Sequence, residues 1–288
     1  MKTLERRLHE AAKEGGVIQR VVEVDYAQTY VLHGIASVPE LRDALVFKGG
    51  TALKKVHFGS YRFSEDLDFS AESGPRGDAL EGAIRAAVGA AESAARSLAP
   101  IAITVERYEE RDPHLGGQEA FTVRVQYPWQ RQPLVPVKIE ITHDEPVLLP
   151  APLLPMRHGY DETLDVSIRT YSLEEICAEK LRSTRQTQAK LAARGWARSR
   201  GRDFFDLWHL ARLEDERVDW AKVSEILPRK CAHRQVAIVS VADVFNPELL
   251  DEVRATWERT VGQFVPELPD VEKVFSETRE RLEELLTL

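Results

Sequence analysis

The chain has 288 residues, enough for two modest domains or one large one. Its 43% hydrophobic and 30% charged content fits a soluble globular protein with a sizeable core, and no apolar run is long enough to span a bilayer. A net charge of −8, from 39 basic and 47 acidic residues, argues against a protein that coats nucleic acid non-specifically. Nucleic acid stays open as a substrate, because local charge decides that. The N-terminal MKTLERRLHEAAKEGG lacks the apolar core of a signal peptide. Two cysteines, Cys177 and Cys231, are too few for a disulfide framework or a cysteine zinc site. A cytoplasmic location and no membrane partner are expected.

In chain order, residues 4–13 and 17–36 carry helical patterns separated by Gly15-Gly16, and a short helix follows Pro39 over about 40–44. LVFKGG reads as a strand running into a glycine turn, TALKKVHF as a helix, and EDLDFS as a strand. Residues 75–98 form an alanine-rich helix. Three alternating runs, 101–109, 119–127 and 134–142, read as strands of one sheet. The proline-bearing stretch 143–165 is expected to be a loop or crossover. From about 166 the pattern turns helical. A long helix opens at Ser172, with Glu175 set to complete a capping box. GRDFFDLWHLARLEDE follows as a second helix, and 219–228, 246–265 and 269–287 continue in the same manner. The expected fold class is α+β with a mixed sheet in two lobes: N-terminal helices and an α/β body over 1–165, and a helical lobe over 166–288.

The chemistry concentrates in FKGGTALKKVHFGSYRFSEDLDFS, Phe47 to Ser70. Side chains alternate along a strand, so Asp66 and Asp68 share one face while Leu67 and Phe69 take the other. Two carboxylates this close repel unless a cation lies between them, and hard oxygen donors select Mg²⁺ or Mn²⁺. Gly49 and Gly50 allow a phosphate to approach the backbone, and the following helix start offers unpaired N–H groups. Thr51 adds a hydroxyl. Ser64 continues the face of Asp66 where the strand begins that early, and Lys48, Lys54 and Lys55 bring positive charge nearby, although Lys54 and Lys55 cannot both face the site. Glu140, between Ile139 and Ile141 on a later strand, supplies a third carboxylate on a face with Lys138. Three carboxylates on neighbouring strands suit two-metal nucleotidyl transfer, with Glu140 as ligand or base.

Lys48-Gly49-Gly50-Thr51, Ser64-Glu65-Asp66-Leu67-Asp68, Glu175 through Lys180, and Arg202-Asp203-Phe204-Phe205-Asp206-Leu207 occur in this order. This pattern resembles the AbiEii-type toxin nucleotidyltransferases, including the MenT toxins, within the DNA polymerase β nucleotidyltransferase superfamily. The resemblance runs from about residue 45 to 213. It implies a polymerase β-like core, NTP as substrate, Mg²⁺ or Mn²⁺ as cofactor, and Asp66, Asp68, Lys180 and Asp203 as catalytic residues, to which the strand pattern adds Glu140. By the same resemblance, Lys48, Gly49, Gly50, Thr51, Ser64 and Lys180 serve the nucleotide. It further implies the toxin of a type IV toxin–antitoxin or phage-defence pair, an antitoxin encoded nearby, and an RNA acceptor, the 3′ end of tRNA.

The residues add a local argument. From 180 to 202 there are eight basic residues and no acid, a sensible seat for triphosphate and RNA, with Arg182, Arg185, Lys190 and Arg194 as RNA contacts. Asp206 reads as a structural cap or salt-bridge partner, Cys177 and Trp208 as core, His209 as a packed helix histidine, and His143 as a loop residue that could border the site. Trp196 could stack a base. Two other readings stand beside the first: the same fold acting on a small molecule or protein hydroxyl, and a non-catalytic NTP-binding protein.

Overall fold

The computed structural model describes residues 2–109 and 117–288. The chain divides into two compact units, one ending at Tyr171 and the other spanning Ser172–Leu288.

The first unit opens with helices α1 (Leu4–Glu14), α2 (Gln19–Ser37) and α3 (Pro39–Arg42). Thr3 caps α1 by accepting from the Arg6 amide, and Leu4 and Leu8, one turn apart, form its buried stripe. α2 is buried on nearly every side, including the polar Asp25, Gln28 and Thr29, because it packs against α1, α5 (Gly77–Arg96) and the sheet. The helices α2 and α5 approach closely at Gly34. A Cβ there would sit 2.0 Å from the Ala87 carbonyl oxygen, so the alanine-rich surface of α5 needs a glycine opposite it.

The sheet has five strands: β1 (Leu45–Lys48), β2 (Asp66–Ala71), β3 (Ala102–Tyr108), β4 (Gln118–Gln126) and β5 (Val135–Thr142). Their order is β1-β2-β5-β4-β3, antiparallel except for the parallel central pair β2/β5. Phe47, Leu67, Phe69, Phe121, Val123, Ile139 and Ile141 are fully buried on one face, beneath α2 and α5. The alternate residues form the other, part-exposed face. This is the mixed-sheet α+β core that the sequence predicts.

The expected helix after the glycine turn is a short α4 (Gly49–Ala52) that widens into a π-helical turn over Leu53–Phe58 and stops at Gly59, φ +72°. The stretch expected to be a loop, 143–165, holds a small strand, β6 (Leu153–Pro155), which pairs with β7 (Ser167–Arg169). A three-residue strand is too short to leave a periodic signal.

The second unit is helical throughout its regular structure: α6 (Leu173–Arg194), α7 (Gly201–Trp208), α8 (Trp220–His233), α9 (Pro247–Thr260) and α10 (Val271–Leu285). Phe204 lies at its centre, 5.6 Å from the Phe245 ring and 5.1 Å from the Phe275 ring. Ser172 caps α6 by accepting from the Glu175 amide, the forward half of the expected capping box. The Glu175 carboxylate instead lies 2.8 Å from Lys230 Nζ, and both side chains are fully buried. α8 runs five residues past the expected end at Pro228, to His233. A proline deletes one amide donor without forbidding continuation where packing supports the helix, and Cys231 and Lys230 are buried there.

Candidate active site

Strand register sets the first group of polar side chains. Lys48, Asp68 and Glu140 are consecutive partners across β1, β2 and β5, and Asp66 partners Lys138 one step along. Cross-strand partners share a face, so Asp66, Asp68, Glu140 and Lys138 all lie opposite the apolar layer. Asp66 and Asp68 are half-buried. Lys138 forms an ion pair with Glu140, and its ammonium lies 4.6 Å from the centre of the Tyr108 ring.

The glycine turn rests directly on this face. Gly49 has φ +77°, and a Cβ there would fall 2.4 Å from Asp68 Oδ2. A Cβ on Gly50 would fall 2.5 Å from Arg62 Nη2 and 3.3 Å from Ser64 Oγ. Thr51 is fully buried, and its hydroxyl donates to the Asp66 carbonyl at 2.5 Å. The two glycines therefore admit Asp68 and Arg62, side chains of the chain itself, and Thr51 ties the turn to the first residue of β2. Lys48 is buried, with its ammonium 5.7 Å from the centre of the Tyr171 ring. Of the two following lysines, Lys55 turns inward to Asp25 at 2.7 Å, and Lys54 packs 4.1 Å from the centre of the Phe63 ring.

A divalent cation fits this donor set in part. Asp66 and Asp68 offer oxygen donors on one face, and the close approach at Gly49 holds the Asp68 carboxylate at the turn. The expected cage of three carboxylates is not assembled: among the described residues no three potential ligands converge, and Glu140 is engaged by Lys138. Mg²⁺ commonly needs only one or two carboxylates, because it keeps several waters and takes substrate phosphate oxygens as further ligands.

The second unit carries the other candidate residues. Lys180 is buried between Asp203 at 2.9 Å and Asp206 at 2.6 Å, the latter with a fully buried side chain, so Asp206 is the salt-bridge partner the sequence reading expected. Arg200 reaches Asp203 at 3.1 Å and Thr187 at 2.6 Å, and Ser183 donates to Asp203 at 3.2 Å. Burial alone would raise the Asp203 carboxyl, but Lys180 and Arg200 outweigh it and hold it well below the usual carboxylate range.

The motifs thus lie on a paired-strand carboxylate face beneath a glycine turn, followed by a lysine–aspartate cluster on two later helices. The model of the nucleotidyl transferase AbiEii toxin family, of type IV toxin–antitoxin systems, matches residues 30–287. The chain belongs to the AbiEii family. It is a nucleotidyltransferase of that toxin family. Its fold is similar to that of MenT4, a nucleotidyltransferase toxin from Mycobacterium tuberculosis H37Rv, at TM-score 0.69 and 20% identity, covering 100% of this chain and 91% of that one. It is also similar to an H. pylori protein described as a nucleotidyltransferase, at TM-score 0.53 and 20% identity, covering 93% and 96%. No curated protein matches the chain. No described helix is long and apolar enough to cross a membrane.

In this AbiEii chain, several expected positions fall elsewhere. Arg182 is buried, bonded to Gln186 at 2.8 Å on its own helix, which removes it from any exposed basic face. Arg185 is half-buried and donates to the Ala237 carbonyl at 3.0 Å, while Lys190 is half-exposed and Arg194 exposed. His143 bonds Glu119 at 2.9 Å; Glu119 partners Ile141, so this pair lies on the sheet face away from the aspartates. Cys177 is fully buried, the core position the sequence reading expected, and burial pushes its thiol up. Trp208 bonds Glu277 at 2.7 Å. Sequence reasoning missed Arg62, although the period of two through Asp68, Asp66 and Ser64 leads straight back to it. It also missed Tyr108, which shares the register row of Glu140 through Ala120.

Proposed function

We propose that the protein moves a nucleoside monophosphate from an NTP to a hydroxyl of RNA, with the 3′ end of tRNA as acceptor and Mg²⁺ or Mn²⁺ as cofactor. The observation that carries this reading is the seating of the Gly49-Gly50 turn on the Asp68 carboxylate, in register with Asp66 and Glu140. That arrangement joins backbone amides, suited to phosphate, to oxygen donors suited to a cation. Asp66 and Asp68 would hold the metal, which when bound neutralises phosphate charge and lowers the pKa of the attacking hydroxyl. The acceptor oxygen forms a bond to the α-phosphorus as the α–β bridging bond breaks, and pyrophosphate leaves in line with it. The protein's part is positioning and charge placement.

Lys48, Gly49, Gly50 and Ser64 form the nucleotide side of the site. Thr51 holds the turn against β2. Glu140, paired with Lys138, would take the acceptor proton or serve as a further oxygen donor to the metal. Lys180, oriented by Asp203 and Asp206, meets the triphosphate. Lys190 and Arg194, with Arg185 at the edge, offer charge to the RNA backbone, while burial excludes Arg182 from that role. An antitoxin encoded alongside, and a role in phage defence, accompany this reading through the type IV family.

The test is transfer of label from each α-labelled NTP to total tRNA with Mg²⁺, using Asp66→Ala and Asp68→Ala as blanks. Label at the tRNA 3′ end that vanishes in both blanks supports the reading. Label appearing only on protein or on a small hydroxyl compound replaces the acceptor, and binding of NTP without transfer to any acceptor removes the enzymatic reading.

A further inference from the structure

Trp196 has no role in the chemistry above, yet 64% of its surface is exposed. It stands in the connection between α6 and α7, just after Gly195, whose left-handed backbone (φ +72°) ends α6. Arg194 and Arg198 flank it and are exposed, and Lys190 lies one turn back on α6. The connection is fastened at its far end. Arg200 bonds both Thr187 of α6 and Asp203, and Ser199 bonds Thr256 of α9 at 2.7 Å. The indole is thus carried on a segment tied to the proposed catalytic cluster of the same unit. In the same unit, α6 and the 235–237 turn border an open groove of about 360 Å³, with Glu248 also on its rim. Its α6 wall runs through Arg185, Ala189 and Ala192 and ends just before Trp196 in the chain. Gln235 on the opposite wall keeps a left-handed φ of +54°, uncommon for a non-glycine residue.

A planar apolar ring flanked in the chain by two exposed arginines, four residues beyond a groove lined by small apolar side chains, an arginine and one carboxylate, offers what an unpaired polynucleotide needs. Bases stack on the ring and the backbone follows the charge. A duplex hides its base faces and has no use for the ring. We infer that Trp196 is a stacking platform for an unpaired nucleotide of the RNA acceptor, and that the strand continues along the α6 groove past Arg185. The inference rests on the RNA reading given above and adds that the bound segment is single-stranded.

The test uses the full chain and a labelled single-stranded RNA of about 12 nucleotides, within the site sizes of such tracks, beside the same sequence as a blunt duplex. Trp196→Ala is expected to weaken single-strand binding by about five- to a hundredfold. Trp196→Phe should stay within a few-fold of the parent. Because no charge is removed, the salt dependence of binding should keep its slope in Trp196→Ala, and NTP binding with Mg²⁺ should be unchanged. Unchanged single-strand affinity in Trp196→Ala overturns the platform alone and leaves the RNA reading standing. So does a parent protein that prefers the duplex. A parent protein that binds neither RNA overturns the RNA reading and the platform together.

Discussion

Asp68 meets three constraints at once: it is in register with Lys48 and Glu140, it shares a face with Asp66, and it fills the space a side chain on Gly49 would need. Gly49→Ala therefore carries two penalties. The left-handed backbone alone costs about 1–2 kcal/mol for a residue with a Cβ, and the new methyl displaces the carboxylate proposed to hold the metal. Lower thermal stability together with transfer reduced by about a hundredfold or more is expected, read by calorimetry and the labelled-NTP assay. Gly50→Ala should be milder, because its neighbour is the end of the flexible Arg62 side chain. At the lysine cluster, Lys180→Met leaves Asp203 and Asp206 facing each other without their shared cation. A loss of about 3–5 kcal/mol is expected in chemical unfolding, where a residue acting only on substrate would leave stability unchanged. The pair of aspartates was legible in the sequence because alternation along a strand is local. The reason for the glycines was not, since what fills their space comes from residues 62 and 68 and only folding brings them there. The burial of Arg182 was equally hidden, because α6 is covered on more than one side and its pattern does not single out a solvent face.

Among the elements, α1, α2 and the segment before β7 are joined by one carboxylate. Glu162 accepts from Arg7 of α1 at 2.5 Å and from Tyr30 of α2 at 3.2 Å, bonds Tyr26, and lies 3.4 Å from His158. Burial would raise its carboxyl, but His158, Tyr26 and Arg7 outweigh that and hold it well below the usual range. Tyr30 is pushed up to about 12, chiefly by burial. A carboxyl depressed in the folded state contributes fully above its unfolded pKa of about 4 and loses that contribution as pH falls below it. Glu162→Gln should thus unfold at lower urea than the parent at pH 7, by about 2–4 kcal/mol, and the gap should begin to narrow below about pH 4 and close only as pH falls through the much lower folded-state value. A gap independent of pH would mean the latch acts by shape and not by charge. None of these contacts was visible in the sequence reading, which took 143–165 as a loop with little periodicity. The long helices and five strands were legible because each carries several periods of its own pattern. The three-residue strands carry none, and Pro228 looked like an end because its tertiary support lies outside the local window.

For the whole molecule, an acidic protein with one cationic stretch should bind RNA through few phosphates. The logarithm of RNA affinity should fall with the logarithm of salt at about 0.7 per neutralised phosphate for a single strand. Arg194→Ala should reduce that slope by about one such step across sequences alike, whereas Arg182→Ala should leave it unchanged because the parent side chain is already buried.

The parallel pairing of β2 with β5 also governs how the protein is born. Asp68 and Glu140 are direct partners although the whole of α5, β3 and β4 lies between them in the chain. A contact of that range must bear its loop-closure entropy before packing rewards it, and such pairings form late. On the ribosome, a chain that has emerged only through β4 holds both aspartates, yet the hydrogen-bonding edge of β2 that β5 will occupy is open. The carboxylate face is complete only after β5 has been made, and Lys180 follows later still. On the roles proposed for Glu140 and Lys180, a nascent chain lacks part of its site until both residues have been made.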